Sequence, residues 1–285
     1  MKKITLFFVC LMMSVVAFSA TAASNLRGDV NGNYEVDISD VTALIGYVLT
    51  GNGSSLVLAN ADCTLNGEID ISDVTCLIDY VLRGAWPEDP HEWVDLGLPS
   101  GTLWATCNVG ADSPEEYGDY FAWGETAPKE YYDWDNYKWC DGTYYTLTKY
   151  CTNADYGTVD NKVELEPVDD AASVNWGSSW RMPTTEQQNE LCENCTWEWE
   201  TRNGVNGQLV YGPNGKTIFL PAAGVYRVGM LWWASTDGQY WSRSLYNYSS
   251  YGAYAIHFTA DYYSNWYSDS RREGRTVRAV RASQN

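Results

Sequence analysis

Histidine is almost missing from this chain. His91 and His257 are the only two, so a histidine-centred catalytic triad has almost no material. Basic residues are scarce as well: 18 Lys and Arg face 37 Asp and Glu, a formal net charge of −19. That balance argues against nucleic acid or an anionic membrane surface as partner and favours divalent cations. Long apolar runs are lacking too. The one near the start, Ile4 to Phe18, is shorter than the roughly 20 residues a bilayer span needs, and membrane insertion is not expected. Cys192-x-x-Cys195 has no second close pair to complete four zinc ligands, and no cysteine follows it. Tryptophan is absent before Trp86, although the chain holds 14.

What is present begins with Met1-Lys2-Lys3, the apolar run and Ser19-Ala20-Thr21-Ala22-Ala23. These are the charged, apolar and small-residue regions of a secretory signal peptide over residues 1–23, so a secreted protein, extracellular or at the cell surface, is expected. Cys63, Cys76, Cys107, Cys140, Cys151, Cys192 and Cys195 follow the leader. An oxidising compartment favours disulfides, but an odd number leaves at least one thiol free or pairing between chains. Structural disulfides and buried thiols both remain open. The tryptophan boundary coincides with Ala85-Trp86-Pro87-Glu88-Asp89-Pro90, a short acidic linker broken by proline. Residues 26–84 are therefore expected to form one domain, 85–90 a linker, and 91–285 a second domain.

The first domain is built from a duplicated segment. Asp29-Val-Asn-Gly-Asn-Tyr-Glu-Val-Asp-Ile-Ser-Asp40 is answered 33 residues later by Asp62-Cys-Thr-Leu-Asn-Gly-Glu-Ile-Asp-Ile-Ser-Asp73. Oxygen-bearing side chains at positions 1, 3, 5, 9 and 12 of a short loop are what a hard cation needs. In loop one, Asp29, Asn31 and Asn33 would offer side-chain oxygens, Glu35 its carbonyl and Asp37 a water-bridged contact, and Asp40 would close the site. In loop two the same places hold Asp62, Thr64, Asn66, Glu68, Asp70 and Asp73. Two calcium ions are expected. Tyr34 stands where such loops usually carry glycine, because the sharp turn asks for positive φ. Each loop runs into an amphipathic helix, Val41 to Leu49 and Val74 to Leu82, with Gly51 and Gly84 placed to end them. So little chain buries little core, and the metal is expected to supply part of the folding energy.

The second domain reads as short strands and long loops. Val94 to Val109, a hairpin from Leu209 to Leu220, and Gln239 to Leu245, Ala253 to Thr259 and Arg275 to Arg281 are strand signals. In the last segment Arg271, Arg272, Arg275, Arg278 and Arg281 alternate with Val277 and Val280, which predicts a half-exposed basic strand. One helix is predicted, capped by Thr184 or Thr185, with Gln187 or Gln188 closing the box, and running to about Cys192. The expected class is α+β multidomain: a small all-α unit of two loop–helix repeats, then an α+β domain rich in antiparallel strands.

A loop with Asp at both ends, followed by a single helix and duplicated within about 60 residues, resembles a type I dockerin over residues 27–84. The resemblance implies calcium binding and docking to cohesin domains on scaffolds that hold polysaccharide-degrading proteins. It places partner recognition on Ile38, Ser39, Ile71 and Ser72 and on the exposed helix faces. Between residues 36–49 and 69–82 only Val36/Ile69, Ala43/Cys76 and Gly46/Asp79 differ, a symmetry that would let either face dock. Further on, Val94 to Gly110, Tyr117 to Glu125, Trp180-Arg-Met-Pro-Thr184 and Ile218-Phe-Leu-Pro-Ala-Ala-Gly224 resemble the Fibrobacter major paralogous domain family. Trp180-Arg-Met-Pro-Thr184 and Gly274-Arg-Thr-Val-Arg-Ala-Val-Arg281 are also similar to formylglycine-generating enzymes and their C-type lectin-like fold. The late cysteine pair on which that oxidase activity depends has no counterpart here, and no catalytic residue is assigned.

The expectation is thus a calcium-dependent, cohesin-binding docking protein with a non-catalytic recognition domain, working in polysaccharide degradation. Tyr131-Tyr132, Trp232-Trp233 and Tyr262-Tyr263 are candidate stacking surfaces for a polysaccharide ligand, with core packing as the alternative for any one ring. The rival readings are a dockerin-attached carbohydrate hydrolase, for which Glu125, Glu130, Asp133 and Asp135 are available acids, and a surface structural or adhesion protein.

Overall fold

A computed structural model describes residues 26–64, 68–86, 89–177 and 179–282, with side chains for all of these but 265–268. The leader, Asn66, Gly67 and the Pro87-Glu88 part of the linker lie outside the described residues.

The amino-terminal unit is a pair of helices, α1 (Ile38–Thr50) and α2 (Ile71–Arg83). Both start a turn earlier than the apolar periodicity predicts, because carboxylates hold their first turns. Asp37 accepts from the Ser39 amide at 2.7 Å while Asp40 accepts from the Asp37 amide at 3.0 Å. Asp70 and Asp73 repeat this with Ser72, at 2.7 and 2.8 Å. Such reciprocal boxes satisfy amides that a helix start otherwise leaves open. Gly51 and Gly84 end the helices at φ 70° and 71°, a conformation glycine adopts without steric cost.

Val30, Val41, Leu44, Ala61, Cys63, Val74 and Leu77 form the core between the helices. The helical periodicity also marks Ile45, Leu49, Ile78 and Leu82, yet these four are exposed. Trp86 closes the open side of this core. Its ring stacks on Tyr80 at 4.2 Å, the Arg27 guanidinium lies 4.1 Å over it, and a Cβ on Gly28 would come within 2.7 Å of it. Asp89, inside the predicted linker, already packs on the larger domain, where it accepts from Trp180 Nε1 at 2.5 Å and Arg281 Nη1 at 2.8 Å. The chain between those anchors is Pro87-Glu88.

The remainder carries the short strands β1 (Trp93–Asp95) and β2 (Leu103–Ala105), helix α3 (Ala171–Trp176) and helix α4 (Thr185–Asn194). Then come β3 (Thr196–Arg202), β4 (Val205–Tyr211), β5 (Thr217–Pro221), β6 (Val225–Arg227) and β7 (Met230–Trp232). β8 (Gly238–Leu245), β9 (Gly252–Phe258), β10 (Tyr263–Ser270) and β11 (Val280–Arg281) complete it. All pairings within the sheets β1-β2-β11, β3-β4-β5, β6-β7 and β8-β9-β10 are antiparallel. The hairpin and the α4 cap are as predicted: Tyr211 pairs with Thr217, and Thr184 and Gln187 form the box. The seven cysteines among the described residues are free thiols. Burial pushes Cys63 and Cys192 up to about 12 and Cys195 to about 11, so these thiols stay protonated and unreactive at neutral pH.

The carboxy-terminal arginines differ from expectation. Only Val280 and Arg281 form a strand, and Arg271, Arg275 and Arg278 are fully buried rather than half exposed. Each guanidinium meets internal acceptors instead of acidic surface loops. Arg271 donates to the carbonyls of Lys149, Tyr150 and Ser250 at 2.7–3.0 Å. Arg275 lies 4.2 Å over the Trp241 ring and pairs with Asp269 and Glu273 at 2.7 and 2.9 Å. Arg278 donates to Asn108 Oδ1 and to the carbonyls of Ala105, Thr106 and Phe219 at 2.9–3.2 Å. A five-donor planar group can tie several loops and strand ends together through their carbonyls. Arg278→Met keeps the stem but strands these acceptors. We expect it to lower unfolding free energy by about 3 kcal/mol, read as the shift of the urea midpoint followed by tryptophan fluorescence.

Candidate calcium loops and docking faces

Loop one, residues 29–40, is folded around its own oxygens. Asp29, almost wholly buried, accepts from the Asn33 amide at 2.9 Å and the Tyr34 amide at 3.0 Å. Asn31 Oδ1 accepts from Asn33 and Asn33 Oδ1 from Glu35, at 3.0 and 2.8 Å. Asp40, fully buried, reaches back to the Asn31 amide at 2.9 Å. Tyr34 takes φ 68°, so the turn does impose the left-handed conformation that glycine normally supplies there. Hydrogen bonds from the serine hydroxyl and amide of Ser39 hold the Asp37 carboxyl below its usual range.

Loop two repeats what can be compared. Asp73, fully buried, accepts from the Thr64 amide at 2.9 Å and its hydroxyl at 2.8 Å, and the Thr64 hydroxyl lies 3.4 Å from Asp62 Oδ1. Glu68 is exposed and Asp62 and Asp70 half-buried. Burial, foremost, pushes the Asp73 carboxyl above its usual range. Among the described residues neither Asp29, Asp40 nor Asp73 has a Lys or Arg within ion-pairing distance. A buried carboxylate without a counter-charge is costly, and a hard cation beside it would supply that charge. No three His, Cys, Asp or Glu side chains cluster among the described residues. The oxygens between the terminal aspartates come instead from Asn31, Asn33 and Thr64 and from backbone carbonyls, a donor set that suits calcium.

The outer faces of the helices match closely. Ile38, Thr42, Ile45 and Leu49 lie along one stripe of α1, and Ile71, Thr75, Ile78 and Leu82 along the same stripe of α2. Exposure is 65% for both Ile38 and Ile71, 38% for Ile45 and Ile78, and 79% and 77% for Leu49 and Leu82. Branched apolar residues so uncovered, at the same places in two copies, are candidate contact faces left outside the core. Periodicity alone assigns Ile45, Leu49, Ile78 and Leu82 to the core. The signal that identifies them is their repetition beside Ile38-Ser39 and Ile71-Ser72.

Residues 27–82 match the Dockerin type I domain family. The match covers about a fifth of the chain and supports calcium binding and docking to cohesin for this dockerin unit. No curated protein and no solved structure matches the chain. Beyond the dockerin the fold is α+β, with few helices and many antiparallel strands.

Two of the four acids considered for hydrolysis, Glu125 and Asp133, are engaged in structure, while Glu130 and Asp135 are exposed. Glu125 pairs with Lys129 at 2.9 Å and accepts from the Lys138 amide at 2.8 Å, and Asp133 pairs with Arg272 and caps the short turn at Trp134. Of the candidate ring pairs, Tyr132 is buried, the core-packing alternative for that ring: its hydroxyl donates to the Tyr120 carbonyl at 2.5 Å. Tyr131, Trp232, Trp233, Tyr262 and Tyr263 are exposed.

Glycine at position 34 would relieve the strain of positive φ at the cost of some backbone entropy. Tyr34→Gly is expected to stabilise the dockerin by about 0.5–1 kcal/mol and to tighten calcium binding at loop one. A calcium titration followed by far-UV circular dichroism, with melting in calcium and in EDTA, measures both. An unchanged titration and melting temperature would show that the turn is not strained.

Proposed function

We propose that this is an extracellular docking protein whose dockerin folds on two calcium ions, held by Asp29, Asn31, Asn33, Glu35, Asp37 and Asp40 and by Asp62, Thr64, Asn66, Glu68, Asp70 and Asp73. It binds a cohesin-type scaffold domain through either of two equivalent faces, Ile38 and Ser39 on α1 or Ile71 and Ser72 on α2, each with the stripe beyond it. The reading is carried by one observation: two helices present equally exposed apolar stripes next to oxygen-rich loops, within a segment that matches the Dockerin type I domain family. Residues 91–285 are, in this reading, a C-type lectin-like recognition domain related to the Fibrobacter major paralogous family, without catalytic activity, in a polysaccharide-degrading setting.

The support for recognition is the β6–β7 hairpin. Val228, Met230, Leu231, Trp232 and Trp233 are all exposed there, the two indole rings lie 6.3 Å apart, and the Arg227 guanidinium sits 4.8 Å over Trp233. Flat apolar rings flanked by a hydrogen-bonding cation suit the faces and hydroxyls of a sugar. Stacking on one or two rings implies affinities near ~0.1–1 mM, with docking adding avidity.

Two measurements test the reading. Wild-type chain on a panel of type I cohesins should bind in calcium and release in EDTA, and a variant with Ile38, Ser39, Ile71 and Ser72 all replaced by aspartate should not bind. Retained binding by that variant would refute the assigned faces. On glycan arrays, Trp232→Ala/Trp233→Ala should lose any polysaccharide signal. Reducing-sugar release that disappears with Glu125→Gln or Asp135→Asn would overturn the non-catalytic reading.

A further inference from the structure

The repeats are nearly identical in sequence and exposure, but they are not equally placed in the chain. Ile71, Ser72, Thr75, Cys76 and Asp79 of α2 form one wall of a cleft of about 600 Å3. Asp89, Pro90, Trp176, Gly177 and Ser179 of the larger domain form the other. Ser39 is exposed, whereas its counterpart Ser72 is half-buried.

The tether explains why the larger domain stands at α2. Trp86 is fixed by stacking on Tyr80, the residue next to Asp79 on the cleft wall of α2. Asp89 is fixed by Trp180 and Arg281. Three Cα–Cα steps separate these anchors, a reach of at most about 11 Å, and proline stiffens it. A folded partner of about 100 residues has a radius of gyration near 13 Å, more than the whole length of the tether at the point where the domains join. The repeats also diverge at this wall: of the three differences between residues 36–49 and 69–82, Ala43/Cys76 and Gly46/Asp79 line the cleft. Asp79 holds Arg83 at 3.1 Å, and Cys76 Sγ lies 2.9 Å from the Cys63 carbonyl. Neither contact can form from Ala43 or Gly46.

We propose that in the intact chain docking is one-sided: the partner binds the α1 face, and the larger domain bars a folded partner from the α2 face. This rests on the docking reading above and adds which of the two faces is used. The carboxy-terminal domain is then a steric selector that converts a two-fold symmetric module into one with a single orientation.

The test compares equivalent positions in the full-length chain. Thr42 and Thr75 are both exposed, and each hydroxyl donates only to the carbonyl four residues back, so Thr42→Cys and Thr75→Cys leave both helices intact. Each variant is treated, in calcium and a phosphine reductant, with N-ethylmaleimide and with a polymer-linked maleimide of protein size. Labelling is read at that site by peptide mass spectrometry. The small reagent should modify both positions at similar rates, and the large one should modify position 42 several-fold faster than position 75. A long Gly-Ser insertion between Pro87 and Glu88 should bring position 75 up to position 42. Equal large-to-small ratios in the uninserted chain overturn the proposal, as does a slow position 75 that the insertion leaves slow. Neither result touches the docking reading, which fails separately if the four-residue variant still binds cohesin.

Discussion

Carboxylates placed where a loop turns into a helix hold the dockerin together. Asp40 and Asp73 are each buried, each accepts from the amide three residues back, and each reaches across to the third position of its own loop. One side chain thereby sets the helix start and closes the loop. The arrangement gathers negative charge in the interior with no Lys or Arg in ion-pairing distance among the described residues, and burial pushes the Asp73 carboxyl above its usual range. A divalent cation reverses that shift, so the same residues that nucleate the helices make the fold answer to metal. The exposed stripes depend on this in turn, since they are aligned only when both helices are formed.

The larger domain is held by a different economy of charge. Guanidinium groups sit inside it, spread over carbonyls from several loops, and the buried Glu273 and half-buried Asp269 neutralise Arg275. Burial raises the Glu273 carboxyl, opposed by Arg275 beside it. Long loops rich in Tyr and Trp have few ladder partners for their backbone oxygens, and arginine offers more donors per side chain than any other residue. A domain with short strands can therefore remain closely packed.

Much of this is legible in the sequence where a local rule decides the outcome. Gly51 and Gly84 as terminators, the Thr184–Gln187 box and the 211–217 turn all follow from interactions within a few residues. Where partners are distant in sequence, the sequence is silent. An Arg/Val alternation at 275–281 has the period of a half-exposed strand, but Arg278 finds Asn108 and Phe219, 170 and 59 residues away. Trp86 looks like the first residue of an aromatic-rich domain by composition, yet packs backwards onto Arg27 and Tyr80. Ile45 and Leu49 satisfy helical periodicity equally well whether their face meets a core or a partner. Only the copy at Ile78 and Leu82 separates the two cases.

The wedge of Trp86 between Gly28 and Tyr80 also sets how the molecule carries load. Tension on the larger domain passes through Asp89 and three peptide units and arrives at a single indole ring. That ring lies against the helix whose partner face is walled in, and tension there pulls on the ring before it pulls on α1. A bound scaffold and a tethered domain would therefore load different helices, and the tethered domain's load enters the dockerin through an aromatic stack.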